Sequence, residues 1–194
     1  MTDLFTISSL LNIVINRLDM KPTDWIITRR SIRKYTEKKI PAEQIELLLK
    51  AGMYAPSAVN KQPWHFVVID DHNIFDEIIA VHPNAAMLKG ASHAILVCGD
   101  LHLQHDDGYW VVDCGAVTEN ILLAAHSIGL GACWIGIHPR ENRKAALRKL
   151  LDLPDYVEPY ALVSLGFPAE EKETPDRFTP GKVHYNHWGN PYFK

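Results

Sequence analysis

Residues 109–139 read YWVVDCGAVTENILLAAHSIGLGACWIGIHP, and this stretch decides the fold class. Apolar residues fall at 110, 114, 117, 121, 124, 125 and 128, the three-and-four spacing that lines one face of a helix. The spacing predicts a helix over 109–128, with Asp107 as its cap and Gly129 as its stop. A short apolar run at 131–136 then predicts a buried strand. A helix passing directly into a strand implies a sheet with helices packed on it.

Outward from this stretch the same alternation continues. HFVVID (65–70) and HAILVCG (93–99) read as strands, and Asp71 caps a helix over 73–80. Pro41 is placed as the first residue of a helix with apolar positions 45, 48, 49 and 53. Lys21-Pro22-Thr23-Asp24 reads as a break and cap before a helix beginning near Trp25, and residues 55–63 (APSAVNKQP) as a loop. A helix over 140–151 and a last strand over 160–165 complete an α/β or α+β chain with one central sheet.

The two ends read differently. Apolar residues at 4, 7, 11, 14 and 18 predict an amphipathic helix over 3–19, an extension covering residues 1–20, with Met20 as an alternative start. The main domain spans 21–165. Residues 166–194 lack periodicity and hold Pro168, Pro175, Pro180 and Pro191, yet carry one third of the aromatic residues. A disordered tail is poor in aromatics. This composition predicts an extended arm that docks its rings on a second subunit.

With 194 residues, 47% of them hydrophobic, the chain has material for a core without a disulfide or metal staple. Cys98, Cys114 and Cys133 are odd in number and widely spaced, which argues against a disulfide framework or thiolate zinc site and for a reducing, intracellular setting. No apolar run approaches the roughly 18–20 residues that span a bilayer, and no cation precedes Arg17 as a signal peptide would require. The net charge is −3, but six cations (Arg29, Arg30, Arg33, Lys34, Lys38 and Lys39) crowd into residues 29–39. A local anion site suits that pattern better than a nucleic-acid surface.

Several motifs bear on chemistry. If residues 29–33 are extended, Arg29, Ser31 and Arg33 share one face, a set suited to phosphate, although a solvated basic edge fits the same residues. Asn60 and Gln62 alternate before a strand and could bond a flat heterocycle or the loop's own backbone. Gly129, Gly131 and Gly136 do not form a G-x-G-x-x-G fingerprint, and no phosphate-binding P-loop is present. Gly136 permits close approach of a planar ligand or an ordinary turn. His102-x-x-His105 and His184-x-x-His187 read as solvated loops rather than metal ligands, and Cys114 and Cys133 as small core residues.

Taken in order, TRRSIRKY (28–35), APSAVNKQPWHFVV (55–68), HPNAAMLKGASHAILVCGD (82–100), DCGAVTENILLAAHSIGLGACWIGIHP (113–139) and DRF…KVHYNHW (176–188) resemble the nitroreductase family of FMN-dependent oxidoreductases. The resemblance implies an α+β, three-layer fold with a central, mainly antiparallel sheet flanked by helices. It also implies an intertwined homodimer with FMN at the interface. Carried over by position, Arg29 and Ser31 match phosphate-binding residues, and Arg33 a basic residue near the ribityl chain and the N1–O2 edge of the flavin. Pro56, Ser57, Ala58 and Asn60 match a loop that reaches the flavin from the other subunit. Asn84 matches a contact to the pyrimidine edge. Trp134, Ile135 and Gly136 match the backbone beside the ring, where a main-chain N–H can donate to N5. Arg177 matches a late basic residue that returns to the phosphate, with Lys182 as a substitute.

The family's activity implies electron transfer from NAD(P)H, by a ping-pong cycle through FMN, to nitroaromatics, quinones or similar acceptors. The cofactor carries this chemistry, so no catalytic side chain is assigned. The expected setting is cytoplasmic, with neither nucleic acid nor membrane as partner. A flavin-consuming or dehalogenating member of the superfamily, or a flavin-binding module without turnover, would share these motifs. Two departures stand out: Met87 occupies a position where longer members carry Lys, and the 101–108 link is short.

Overall fold

Strand β2 (His93–Asp100) organises the molecule, because its alternating residues feed two separate cores. Ile95 and Val97 join one cluster, and Leu96 and Cys98 join the other. The structure, a computed structural model, describes residues 21–106 and 108–193. The expected helix over 3–19, Met20 and the Asp107 cap lie outside these residues.

Four strands form one antiparallel sheet in the order β1-β2-β4-β3, with β1 Trp64–Ile69, β3 Gly131–Gly136 and β4 Val157–Gly166. Helices α2 (Ala42–Met53) and α4 (Tyr109–Ser127) cover one face, packing Leu48, Val117 and Ile121 on Ile95, Val97 and Val163. Helices α3 (His72–Val81) and α5 (Glu141–Leu150), with a 3-10 stretch over Pro83–Gly90, cover the other, packing Phe75, Ile78 and Leu147 on Leu96 and Leu162. This is the expected three-layer arrangement. Short helix α1 (Pro22–Thr28) leans on α4, where Trp25 meets His126 edge-on at 5.6 Å.

The stretch that decides the fold class behaves as its periodicity requires. Helix α4 ends at Gly129, whose φ of 86° lets Leu130 N–H reach back to Ala125 O at 2.8 Å. Asp71 caps α3 by accepting the Asn73 N–H at 2.8 Å.

Three boundaries differ from the sequence reading. Helix α1 starts three residues early, at Pro22, with the Asp24 carboxylate accepting the Lys21 N–H at 2.8 Å. Pro41 is the cap rather than the first residue of α2. Strand β4 begins at Val157, because a register shift between Val97 and Cys98 accommodates Pro159, which has no N–H to give the ladder.

Candidate functional site

The site is built on the outer edge of β3. There Gly131 pairs with Gly166, and the two missing side chains make a trough in the sheet surface. The Ile32 side chain fills it at Gly131 and the Tyr35 ring fills it at Gly166; an added Cβ would lie 2.7 Å from either. The extended segment 29–35 is thereby seated against the sheet. Ser31 forms a parallel bridge with Ala132, and Ile32 N–H donates to Ala132 O at 2.9 Å. Tyr35 OH donates to Ile32 O at 2.6 Å, and Glu170 accepts the Arg33 N–H at 2.6 Å. The basic segment is therefore fixed from both sides.

Strand geometry then dictates what faces outward. Ala132 turns its carbonyl to the edge, so Trp134 and Gly136, at period two, present their N–H groups to the same edge. The edge opens into a cavity of about 460 Å³ lined by Arg33, Asn84, Met87, Trp134, Gly136 and Arg143, among others. No Asp or Glu among the described residues lines it. A Cβ added at Gly136 would meet nothing within 4 Å, so a flat ligand can lie against that backbone.

Two of these residues escape the sequence reading. Arg143, in the first turn of α5, donates to Gly136 O at 2.8 Å, and His82 Nε2 donates to the same carbonyl at 3.2 Å. Burial, then the nearby Arg143 charge, hold His82 below its ordinary value and so neutral. The α5 pattern marks Arg143 only as a polar position of an amphipathic helix. Its approach to β3 is a tertiary property.

Arg29 and Arg177 come together in a second cavity, of about 610 Å³, which Arg30 and Glu119 also line. Arg29 Nε lies 3.3 Å from Glu119 Oε1, too poorly aligned for a hydrogen bond, and is otherwise buried without a partner. Arg30 donates to the carbonyls of Arg29, Ile27 and Glu173, so it binds backbone. Burial, then Arg177 and Arg29, hold Arg30 below its ordinary value. Ser31 turns toward Cys133, whose thiol burial pushes up while Arg33 and the Ser31 hydroxyl oppose the rise. Its own carbonyl accepts from Lys172 at 2.7 Å.

The loop with Pro56, Ser57, Ala58 and Asn60 stands apart. None of these residues lines the cavity of Arg33. Asp113, 3% exposed, accepts the Ala58 N–H at 3.0 Å through Oδ1, while its Oδ2 is buried without a partner. Val59, Asn60 and Gln62 all take positive φ, between 50° and 55°, unusual for residues with side chains. Gln62 donates to Asn60 Oδ1 at 2.9 Å, so both amides bond within the loop. Met53, Tyr54, Val59, Tyr109 and Val112 are exposed around it.

In the C-terminal arm the rings meet one another. Phe178 contacts Phe193 at 5.4 Å and Tyr185 contacts Tyr192 at 5.8 Å, yet Trp188 is 90% exposed. Lys182 lies in a short exposed turn. His102 stacks on Tyr156, and the described residues contain no His, Cys, Asp and Glu group that could hold a metal. Cys98 and Cys114 are buried, the former pushed up to about 12 and the latter higher still. No helix among the described residues is long and apolar enough to cross a membrane.

The family model described as Nitroreductase family matches residues 26–81 and 76–167. A protein of Methanothermobacter thermautotrophicus, provisionally named NADH dehydrogenase/NAD(P)H nitroreductase, is 47% identical over 163 residues, which are 84% of this chain and 85% of the relative. A solved structure from Bacteroides thetaiotaomicron with the same provisional name aligns at a TM-score of 0.81 with 41% identity, covering 85% of this chain and 96% of the other. A nitroreductase, provisionally so named, from Desulfovibrio desulfuricans was solved in complex with FMN. It aligns at a TM-score of 0.72 with 32% identity, over 81% of this chain and 92% of its own.

Proposed function

The chain belongs to the nitroreductase family, and from that premise we propose that it is an FMN-dependent oxidoreductase. In this reading it carries electrons from NAD(P)H, by a ping-pong cycle, to nitroaromatics, quinones or similar electron-poor acceptors. The observation that carries the reading is the open, acid-free cavity along the β3 edge, with Arg33 and Asn84 beside outward N–H groups. The FMN held by the Desulfovibrio relative, and the nicotinamide donors named for the Methanothermobacter one, support the same chemistry.

The residues present fit the cofactor. Bound FMN would supply two-electron transfer between nicotinamide and acceptor. The Trp134 and Gly136 N–H groups would hold the ring edge, with Ile135 between them. Asn84 would bond the pyrimidine side. Arg33, with no carboxylate in ion-pair range among the described residues, would stabilise negative charge on the ring. Arg29 and Arg177 would take the phosphate, joined by the Ser31 hydroxyl if it turns from Cys133; Arg29 Nε, beside Glu119 but without a hydrogen bond, is a donor such an acceptor would satisfy.

A second copy of the chain completes the site in this proposal. The 56–60 loop, with positive φ at Val59 and Asn60, does not line its own Arg33 cavity and has exposed apolar side chains beside it, as a segment that inserts into a partner would. The exposed rings of the C-terminal arm, residues 166–194, dock on that partner as well. Three buried free cysteines suit a reducing, cytoplasmic setting.

Purified protein is expected to be yellow and to bleach on anaerobic addition of NADH or NADPH. Colour should return with a nitroaromatic or quinone. A colourless chain that takes up no added FMN overturns the proposal.

A further inference from the structure

We propose that Arg143 forms an anion subsite at the Gly136 end of the β3 cavity, and that the enzyme's redox partner carries a carboxylate or phosphate to it. The inference rests on the flavin reading above and goes beyond it, because it concerns which partner is taken. Arg33 lies beside the Ser31–Ala132 bridge, whereas Arg143 is held on the carbonyl of Gly136. Four residues along a strand separate the two attachment points, roughly 13 Å. One guanidinium can thus serve the ring edge while the other remains for a second molecule.

Charge balance points the same way. On helix α5 the neighbouring cations are compensated: Lys144 pairs with Glu141 and Glu158, and Arg148 pairs with Glu158. Arg143 has no carboxylate in ion-pair range among the described residues. Among the described residues one of its donors is bound, to Gly136 O, which fixes the side chain while leaving further N–H groups for an oxyanion. His82, neutral beside it, adds no competing charge.

The chemistry has two sources, which the experiment separates. Titration calorimetry on the protein as isolated compares 4-nitrobenzoate with its methyl ester, and steady-state kinetics compares NADPH with NADH. Each pair differs by an anionic group. The wild type is expected to prefer the anion in at least one pair, and Arg143→Gln should cut that preference about tenfold, as loss of a charge-assisted hydrogen bond does. Arg143→Lys should keep most of it. Glutamine can still donate to Gly136 O, so loss in that variant reads the charge rather than the scaffold.

A preference in the benzoate pair assigns the subsite to the acceptor, and one in the nicotinamide pair assigns it to the donor. Arg143→Gln that matches wild type in both pairs overturns the proposal. So does Arg143→Gln that releases flavin instead, since Arg143 would then serve the cofactor. The calorimetry needs no turnover. It therefore reads the subsite even if the protein proves colourless and the flavin reading fails.

Discussion

Gly131→Ala tests whether the basic segment is positioned by close approach to β3. A Cβ at this position would lie 2.7 Å from Ile32 Cγ2 and 2.9 Å from Ile32 Cβ. Non-bonded carbons prefer about 3.5–4.0 Å, so Ile32 must withdraw by nearly 1 Å. Rotating its side chain gives no relief, because the Cβ itself is in the clash and a β-branched χ1 is stiff. The backbone must move, stretching the 2.9 Å bond from Ile32 N–H to Ala132 O past its working range. Overpacking costs about 1–3 kcal/mol and the weakened hydrogen bond about 1 kcal/mol, giving about 2–4 kcal/mol together. With a urea m-value near 2 kcal/mol/M, the midpoint should fall by roughly 1–2 M at unchanged slope. Flavin retention should fall too, since Arg29, Ser31 and Arg33 ride on the displaced segment. A midpoint within about 0.2 M of wild type, with normal flavin content, would refute the seating argument.

Two further outcomes follow from the same edge. Gly136→Ala meets open space, so apoprotein stability should hold or rise by up to about 1 kcal/mol, while flavin per chain should drop because the methyl group would occupy the place proposed for the ring; unchanged flavin content would move the ring elsewhere. Acid should loosen the segment through Glu170, whose carboxyl the Arg33 N–H and then Lys172 hold below its ordinary value. A depressed folded value means that its stabilisation is complete above about pH 4.3 and is lost as pH falls through the lower folded value. Flavin release on acid titration should show this step, and Glu170→Gln should remove it; a variant titrating like wild type would count against the clamp.

The helices and the single central sheet were accessible because residue patterning reports burial, whereas the antiparallel, three-layer arrangement was legible only through the family resemblance. The helices leave a three-and-four signature and the strands short apolar runs, and Gly129 marks a helix end through a conformation that glycine adopts cheaply. The start of β4 was not accessible in this way. Pro159 reads as a strand breaker until its neighbour β2 is seen to shift register opposite it. The seat of the basic segment was likewise hidden, because its logic is the pairing of Gly131 with Gly166, residues far apart in sequence that only the sheet brings side by side. The same holds for Asp113, which looks like a polar residue early in a helix and proves to be the anchor of the 56–60 loop.

The crowd of cations at 29–39 shows how far local charge can be trusted as a sign of function. Each cation is sorted by what the fold gives it to touch. Arg30 binds three backbone carbonyls, Lys38 lies 4.2 Å over the Phe167 ring, and Arg29 stands against Glu119 in the cavity it shares with Arg177. Only Arg33 of these four faces the β3 cavity. The second guanidinium there, Arg143, comes from a helix more than a hundred residues downstream and is separated in sequence from the basic run. A charge cluster in sequence therefore marks where the chain is held as much as where a ligand binds. In the β3 cavity the positive charge rests on Arg33 and Arg143, which no carboxylate among the described residues pairs, and only tertiary contacts bring the two together.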